Sequence, residues 1–457
     1  MNDRTLDACN IADLREMARR RLPKGLFEFV DRGTEDEVSL RNNRAVFERI
    51  RFKPRTLVDV SARSQEVTLF GKRHRMPVGI APTGTAGLWW YEGETALARA
   101  AAGAGVPFTL ATGSMTAMEK VAEQAGGTLW FQLYMWPDRS LSHKLVERAR
   151  AAGYEALVVT VDGVVPGNRE YNLRNGFTIP FSFTRRNVTD VLMHPGWLVR
   201  VLGRYVLTSG MPRYENYPSE LRAKITARPM GRATLRNDSL NWDDLRALRK
   251  LWPQPLIVKG ILHPQDALLA ADCGADGVVV SNHGGRNLDG AISPIEALPG
   301  IVEAVGKRVT VLVDSGFRRG TDVVKALALG ARAVLLGRST LYGIGAGGRR
   351  ARTGDLSRGN RPRPRVDRMP RRERALTGVS RRPRFRAPGA GSRAPRAQAA
   401  RDRQSRGALV GRLVPAAPGT GHRRRLPRLG VPQKDHREGG SKPRALRAVA
   451  RRGGSGR

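Results

Sequence analysis

Eight short apolar runs recur along the chain: PVGIAP (77–82), PFTLAT (107–112), LWFQLY (129–134), ALVVTVD (156–162), PLIVKG (255–260), GVVVSNHG (277–284), TVLVDSG (310–316) and AVLLGRS (333–339). A strand with one wetted face alternates apolar and polar residues; a run apolar throughout predicts a parallel strand covered on both faces. Between most of the runs lie stretches with helical spacing, such as GETALARAAAGAG, DRSLSHKLVERARAAG and TDVVKALALGA. This α/β alternation predicts a closed (β/α)8 barrel, a TIM barrel, over residues 77–348, with a doubly wound open sheet as the alternative. Residues 1–76 read as a lead-in, helical over roughly 10 to 50, with a loop or small strand at QEVTLFG (65–71). One long insertion, 163–254, separates the fourth and fifth strands. Connections of that length are functional or mobile. It contains WLVRVLGRYVL (197–207), read either as a helix packed on the barrel or as one that touches a membrane surface.

Charge divides the chain into two materials. Of the formal +39, residues 349–457 carry 33 Lys plus Arg against 6 Asp plus Glu, or +27, which leaves +12 for residues 1–348. The tail has no Ile, Tyr, Trp or Cys and one Phe, and it repeats Arg, Pro, Gly and Ala without a period. Such a segment cannot bury enough apolar surface to offset its ordering entropy, so a disordered tail is expected. Its charge allows non-specific polyanion binding, but no aromatic residues interleave the arginines for base stacking, which argues against specific nucleic-acid recognition. Cys9 and Cys273 are the only cysteines and form no CxxC, so neither a disulfide framework nor a Cys-based metal site is expected. The N-terminus lacks the apolar stretch of a signal peptide, and no run is long enough to span a bilayer; a cytoplasmic location is expected.

Catalysis in a parallel barrel sits at the C-terminal ends of the strands. Those ends carry Thr83 and Gly84 on strand one, Gln132 and Tyr134 on three, Thr160 and Asp162 on four, and Lys259 on five. His283 and Arg286 follow strand six, Asp314, Gly316 and Arg318 strand seven, and Gly337 and Arg338 strand eight. The glycines and arginines of strands seven and eight, Gly320 included, suit a phosphate site. Lys259 suits a place where negative charge develops, and His283 beside Arg286 suits a base next to an anion fork. Asp162 could orient the imidazole. The residues alone thus imply a phosphate-bearing cofactor, an anionic substrate and a base. GIGAGG (343–348) matches the dinucleotide fingerprint, but no second strand follows it to complete a βαβ unit.

The motifs SNHGGRNLD, VDSGFRRGTDVVKALALGA and LLGRSTLYG, with LPKGLFEFVDRGTEDE, RFKPRTLVDVS, IAPTG, WFQLY and LIVKG, resemble the FMN-dependent L-2-hydroxy acid oxidases and dehydrogenases over residues 5–348. The similarity is greatest to the (S)-mandelate and L-lactate dehydrogenase branch. It implies FMN as cofactor and oxidation of a small L-2-hydroxy acid to the 2-oxo acid. It makes His283 the base while hydride passes to flavin N5, with Asp162 stabilising the imidazolium. Arg286 and Arg169 would bind the substrate carboxylate and Tyr134 the substrate. Lys259 would sit by flavin N1 and O2, with Gln132, Thr160 and the backbone of Thr83 and Gly84 along the ring. Asp314, Gly316, Arg318, Gly337 and Arg338 would hold the ribityl phosphate, while Gly284 and Gly285 would keep side chains off flavin and substrate. Gly84 stands where oxygen-reactive relatives tend to have alanine, which favours a quinone or other carrier over oxygen as electron acceptor. The family also implies a homotetramer and peripheral contact with the inner face of the cell membrane through residues 177–235.

Four departures qualify the resemblance. Phe29 replaces a tyrosine that helps hold the substrate carboxylate, Ala111 a serine beside the flavin, and Asn287 the glutamine of HGGRQLD. After LYGIGAGG the acidic, leucine-rich helix of relatives gives way to RRARTGDLSRGNRPRPRV, as if the gene were read out of frame. The expectation is therefore a barrel without a normal eighth helix, followed by a frameshifted tail at 349–457. A catalytically impaired FMN-binding barrel is the rival to an active enzyme.

Overall fold

The computed structural model describes residues 8–177, 181, 183–227 and 238–347. All of these lie in the first of two units, Met1–Arg384 and Phe385–Arg457; the tail lies outside the described residues.

The lead-in forms α1 (Ile11–Arg21), α2 (Lys24–Asp31) and α3 (Val38–Arg49). The Asn10 side chain accepts from the N–H groups of Ala12 and Asp13, and Asp13 accepts from Asn10 in return, which fixes where α1 begins. A hairpin follows, β1 (Val67–Leu69) and β2 (Lys72–His74). Eight parallel strands then close in the order β10-β3-β4-β5-β6-β7-β8-β9. They are β3 (Val78–Ile80), β4 (Phe108–Ala111), β5 (Leu129–Leu133), β6 (Ala156–Thr160), β7 (Leu256–Ile261), β8 (Gly277–Val280), β9 (Thr310–Val313) and β10 (Ala333–Leu336). Each falls inside, or within one residue of, the apolar run that predicts it.

Two shells account for the unbroken apolar runs. Alternate residues point inward: Trp130, Val158, Ile257, Val279, Leu312 and Leu335 fill the barrel and meet Val67 and Leu69 of the hairpin, which plugs one end. Their neighbours Phe131, Leu157, Val258, Val278 and Val311 pack outward on the helices. Val278, Val279 and Val280 are all fully buried, each worth about 1.5–3 kcal/mol of apolar burial.

The eighth position is occupied. A helix runs Arg338–Gly347, to the last described residue, and packs against α1 and Trp89. The expectation of a missing eighth helix is thus narrowed: its opening turns are present and buried, and any loss concerns residues beyond 347. Residues 343–347 of GIGAGG belong to this helix. A Cβ on Gly345 would lie 2.8 Å from Trp89 Cε3 and 3.1 Å from Ala18 Cβ, so that glycine serves close helix packing.

Among its described residues the insertion holds several short helices. Trp197 donates its indole N–H to the Leu88 carbonyl, and Val201 and Tyr205 are buried, so one face of the 197–207 helix packs on the barrel. Its other face exposes Val199, Val206 and Leu207. The packed reading of that segment therefore holds for one face, and the other is left exposed.

Candidate active site

The site grows from the corner after β8. His283, Gly284 and Gly285 are all left-handed (φ 56°, 69° and 70°), which reverses the chain within three residues. Left-handed backbone at a non-glycine residue costs on the order of 1–3 kcal/mol and persists only where its surroundings hold it. Here the His283 N–H donates to Ser281 Oγ (3.1 Å), and the Gly285 N–H to the Asn282 carbonyl (3.0 Å). The two glycines make the turn the sequence predicts, and they also serve packing. A Cβ on Gly284 would lie 2.7 Å from an Arg338 guanidinium nitrogen, and one on Gly285 2.7 Å from the Leu40 backbone nitrogen. They admit the arginine and the start of α3.

The imidazole bridges two side chains. His283 Nδ1 lies 2.8 Å from Asp162 Oδ1, and Nε2 lies 3.3 Å from the Tyr134 hydroxyl. Burial pushes the Asp162 carboxyl up, but the charges of His283 and Lys259 outweigh it and hold it below the usual range. An ionised Asp162 fixes the tautomer with the proton on Nδ1 and leaves Nε2 as the basic nitrogen. Tyr134 is pushed up by burial and by Asp162, so its phenol keeps its proton. Asn287 Nδ2 donates to the Asp162 carbonyl (2.8 Å), tying the acid to the corner that carries the base.

Lys259 projects from β7 where its pairing with β8 shifts between Lys259 and Ile261. Gly260 (φ 112°) takes up the irregularity, and a Cβ there would strike Asp162 Cβ at 2.6 Å. The ammonium is buried, donates to Ser281 Oγ (2.9 Å) and pairs with Asp314 (3.3 Å). Burial pulls its pKa down, but Asp314 and Asp162 more than compensate and raise it. Asp314 therefore stands with Lys259 and with Ser315, whose hydroxyl donates to it, rather than among the arginines.

Four arginines ring the other side without a carboxylate in ion-pair range among the described residues. Arg286 donates to the Val30 and Arg32 carbonyls at the end of α2 and lies 5.6 Å over the Phe29 ring. Burial, with Arg169 and Arg338 nearby, pushes it down to about 9. Arg169 is lowered chiefly by burial and contacts the Arg286 carbonyl. Arg318, also lowered by burial, donates to Ser339 Oγ and stacks 5.5 Å from Tyr342. Arg338 donates three of its five N–H groups to main chain, at the Val30, Gly284 and Arg32 carbonyls. Buried cations without counter-charges are costly, and a bound anion relieves the cost.

Thr83 and Gly84 follow β3, and a Cβ on Gly84 would come 3.2 Å from the Gly113 carbonyl. Gln132 Nε2, Thr160 Oγ1 and Asp162 Oδ2 are buried with no partner among the described residues. Gly316 and Gly337 lie at the ends of β9 and β10, Gly337 just before the helix Arg338–Gly347. No cluster of metal-binding side chains occurs among the described residues. The expected site residues thus share one rim. Sequence reasoning missed Ser281, Ser315, Thr112 (which donates to the Gln132 carbonyl, 2.6 Å) and the Asn43–Asn282 pair.

Residues 18–353 match the model of the FMN-dependent dehydrogenase family. The chain belongs to that family. Over 345 residues it is 47% identical to (S)-mandelate dehydrogenase of Pseudomonas putida, spanning 74% of this chain and 84% of that protein. Identity to L-lactate dehydrogenase of Caulobacter sp. (strain K31) is 45% over 345 residues, 74% of this chain and 88% of the relative. The crystal structure of the monotopic membrane protein (S)-mandelate dehydrogenase superposes with a TM-score of 0.72 at 44% identity, covering 81% of this chain and 95% of that one. The protein is accordingly an FMN-dependent α-hydroxy acid dehydrogenase or oxidase, a flavoprotein on a TIM barrel. Its residues fit the cofactor: Gln132 Nε2 and Thr160 Oγ1 want partners at the barrel mouth, and Arg318 wants an anion.

Proposed function

We propose that this flavoenzyme oxidises an L-2-hydroxy acid of the mandelate or lactate kind to the 2-oxo acid, with His283 as the base. The observation that carries the reading is the Asp162–His283 pair, 2.8 Å apart, with Nε2 turned to Tyr134. Nε2 takes the hydroxyl proton of the substrate, and Asp162 stabilises the imidazolium that results. Arg286 and Arg169 take the substrate carboxylate, and its charge offsets their burial. Tyr134 donates to the substrate and orients it. Bound FMN supplies the acceptor for the hydrogen and electrons of the substrate's Cα–H bond. Gln132, Thr160 and the backbone of Thr83 and Gly84 would hold its ring, and Lys259 would stabilise the negative charge that develops on it. Gly316, Arg318, Gly337 and the N-terminus of the last described helix take its phosphate; Arg338 braces that cradle through main-chain carbonyls. Purified protein is expected to be yellow and to bleach anaerobically with L-mandelate or L-lactate. Protein that binds FMN but is bleached by no 2-hydroxy acid would overturn the proposal.

The same rim faces a membrane in this reading. Of residues 177–235, those described include Leu192, Met193, Val199, Val206 and Leu207, all more than half exposed, among Arg185, Arg186, Arg200 and Arg204. Apolar side chains flanked by arginines suit a surface helix at a lipid interface. No helix among the described residues is long and apolar enough to cross a bilayer. Electrons pass to a quinone or another carrier at that surface. We read residues 349–457 as the product of a shifted reading frame, since the family match ends at residue 353. Resequencing the DNA there tests this, and an intact frame retained in transcripts would overturn it.

A further inference from the structure

A small cleft of about 50 Å³ opens beside the exposed end of the 197–207 helix, lined by Trp90, Tyr91, Glu92, Thr95, Arg99 and Arg204 among others. Its floor is the start of the twelve-residue helix Gly93–Ala104, whose N-cap Glu92 is left-handed and offers no side-chain cap. The first N–H groups of a helix have no intrahelical partner and favour an anion. Thr95 is 1% exposed, and its hydroxyl has no partner among the described residues. A buried hydroxyl left unpaired in a cleft wall is costly and wants a ligand acceptor.

The walls suit the same ligand. The Arg204 guanidinium lies 4.2 Å over the Tyr91 ring and pairs with no carboxylate among the described residues. Tyr91 is itself fixed by Thr208 (3.0 Å) and by the Tyr205 ring (4.8 Å). The one carboxylate in the lining, Glu92, is neutralised by Lys120 at 2.6 Å. Next in the chain, Val206 and Leu207 are 53% and 86% exposed. The cleft thus joins cation, hydroxyl and helix N-terminus to an apolar ridge, with Trp90 and Tyr91 at the boundary, as at a lipid headgroup level.

We infer that this cleft binds the phosphate group of an anionic phospholipid, Arg204 and Thr95 holding the phosphate while Val206 and Leu207 meet the acyl chains. The inference rests on the membrane reading above and deepens it by naming a lipid class and its residues.

The test uses the full FMN-loaded chain, with short-chain phosphatidylglycerol and phosphatidylcholine as monomers, inorganic phosphate, and vesicles of the two lipids. Phosphatidylglycerol is expected to raise the melting temperature more than phosphatidylcholine or phosphate does. Thr95→Val keeps the charge and removes an unpaired hydroxyl, so it should melt no lower without lipid, yet bind phosphatidylglycerol about fivefold more weakly. Arg204→Gln should weaken partition onto phosphatidylglycerol vesicles about fivefold and leave phosphatidylcholine vesicles unaffected. Flavin bleaching by substrate should be unchanged in both. Variants that keep the full phosphatidylglycerol shift would overturn the site while leaving membrane contact standing. An equal or larger shift with inorganic phosphate would make it a free-phosphate site and overturn the lipid assignment. Failure of the unaltered protein to partition onto either vesicle would overturn the membrane reading and the lipid site with it.

Discussion

Two buried cations stand on neighbouring strand ends, and the fold treats them oppositely. Lys259, on β7, has Asp314 at 3.3 Å and Ser281 at 2.9 Å, and its charge is reinforced. Arg286, after β8, has among the described residues only main-chain carbonyls and the Phe29 ring, with Arg169 and Arg338 nearby, and its charge is opposed. The first cation is balanced within the protein and can attend a cofactor that is always present. The second is left short of a counter-charge, which in the proposed reaction a substrate carboxylate would bring. A resident group and a visiting one leave different electrostatic marks.

Substitution separates the two most sharply. Arg286→Met should lower kcat/KM about a thousandfold, since a fully desolvated charge pair with substrate is worth about 2–5 kcal/mol, while the substrate-free protein should melt no lower than the parent. Lys259→Met should do the reverse to stability, costing about 3–5 kcal/mol in denaturant unfolding because Asp314 is left buried and unpaired. Equal destabilisation by both would erase the contrast.

Alkaline pH provides a second way to break it. Arg286 is pushed down to about 9, so above that pH the folded chain has released a proton that the unfolded chain still holds. Stability from this group therefore rises with pH above about 9, while KM should rise about tenfold per pH unit as the fork loses its charge. Lys259 is raised in the folded state, so its contribution is complete below its ordinary pKa and is lost only as pH climbs through the raised value. Steady-state kinetics from pH 7 to about 10 check the first claim; a flat KM would contradict it.

Smaller effects refine the geometry. Phe29→Tyr restores a hydroxyl near Arg286 and should lower KM about tenfold, as a hydrogen bond to a charged group does. Asn287→Ala removes the 2.8 Å bond to the Asp162 carbonyl and should lower kcat about fivefold with KM unchanged, read from steady-state kinetics.

The strands were legible because both faces are covered: Val278 and Val279 face different shells yet both must be apolar. His283, Asp162 and Lys259 were legible because a chargeable residue at the end of such a run has no packing reason to be there. Ser281, Ser315 and Thr112 were not, since small polar residues carry no periodic signal. The Asn43–Asn282 pair joins α3 to the corner after β8 across 239 residues, and nothing local in either segment announces the other. Asp314 was assigned to the phosphate because it follows a strand next to Arg318; only the packed barrel reveals Lys259 as its partner. Gly345 fitted a fingerprint by spacing, whereas its neighbours Trp89 and Ala18 come from distant segments.

The central claim is that His283, oriented by Asp162, is the base of an FMN-dependent oxidation. Anaerobic stopped-flow mixing of FMN-loaded His283→Asn with the substrate that bleaches the parent protein tests it directly. The account predicts a flavin that stays bound and yellow while bleaching slows by about 10²–10⁴-fold. Bleaching at the parent rate, with FMN still bound, would contradict it.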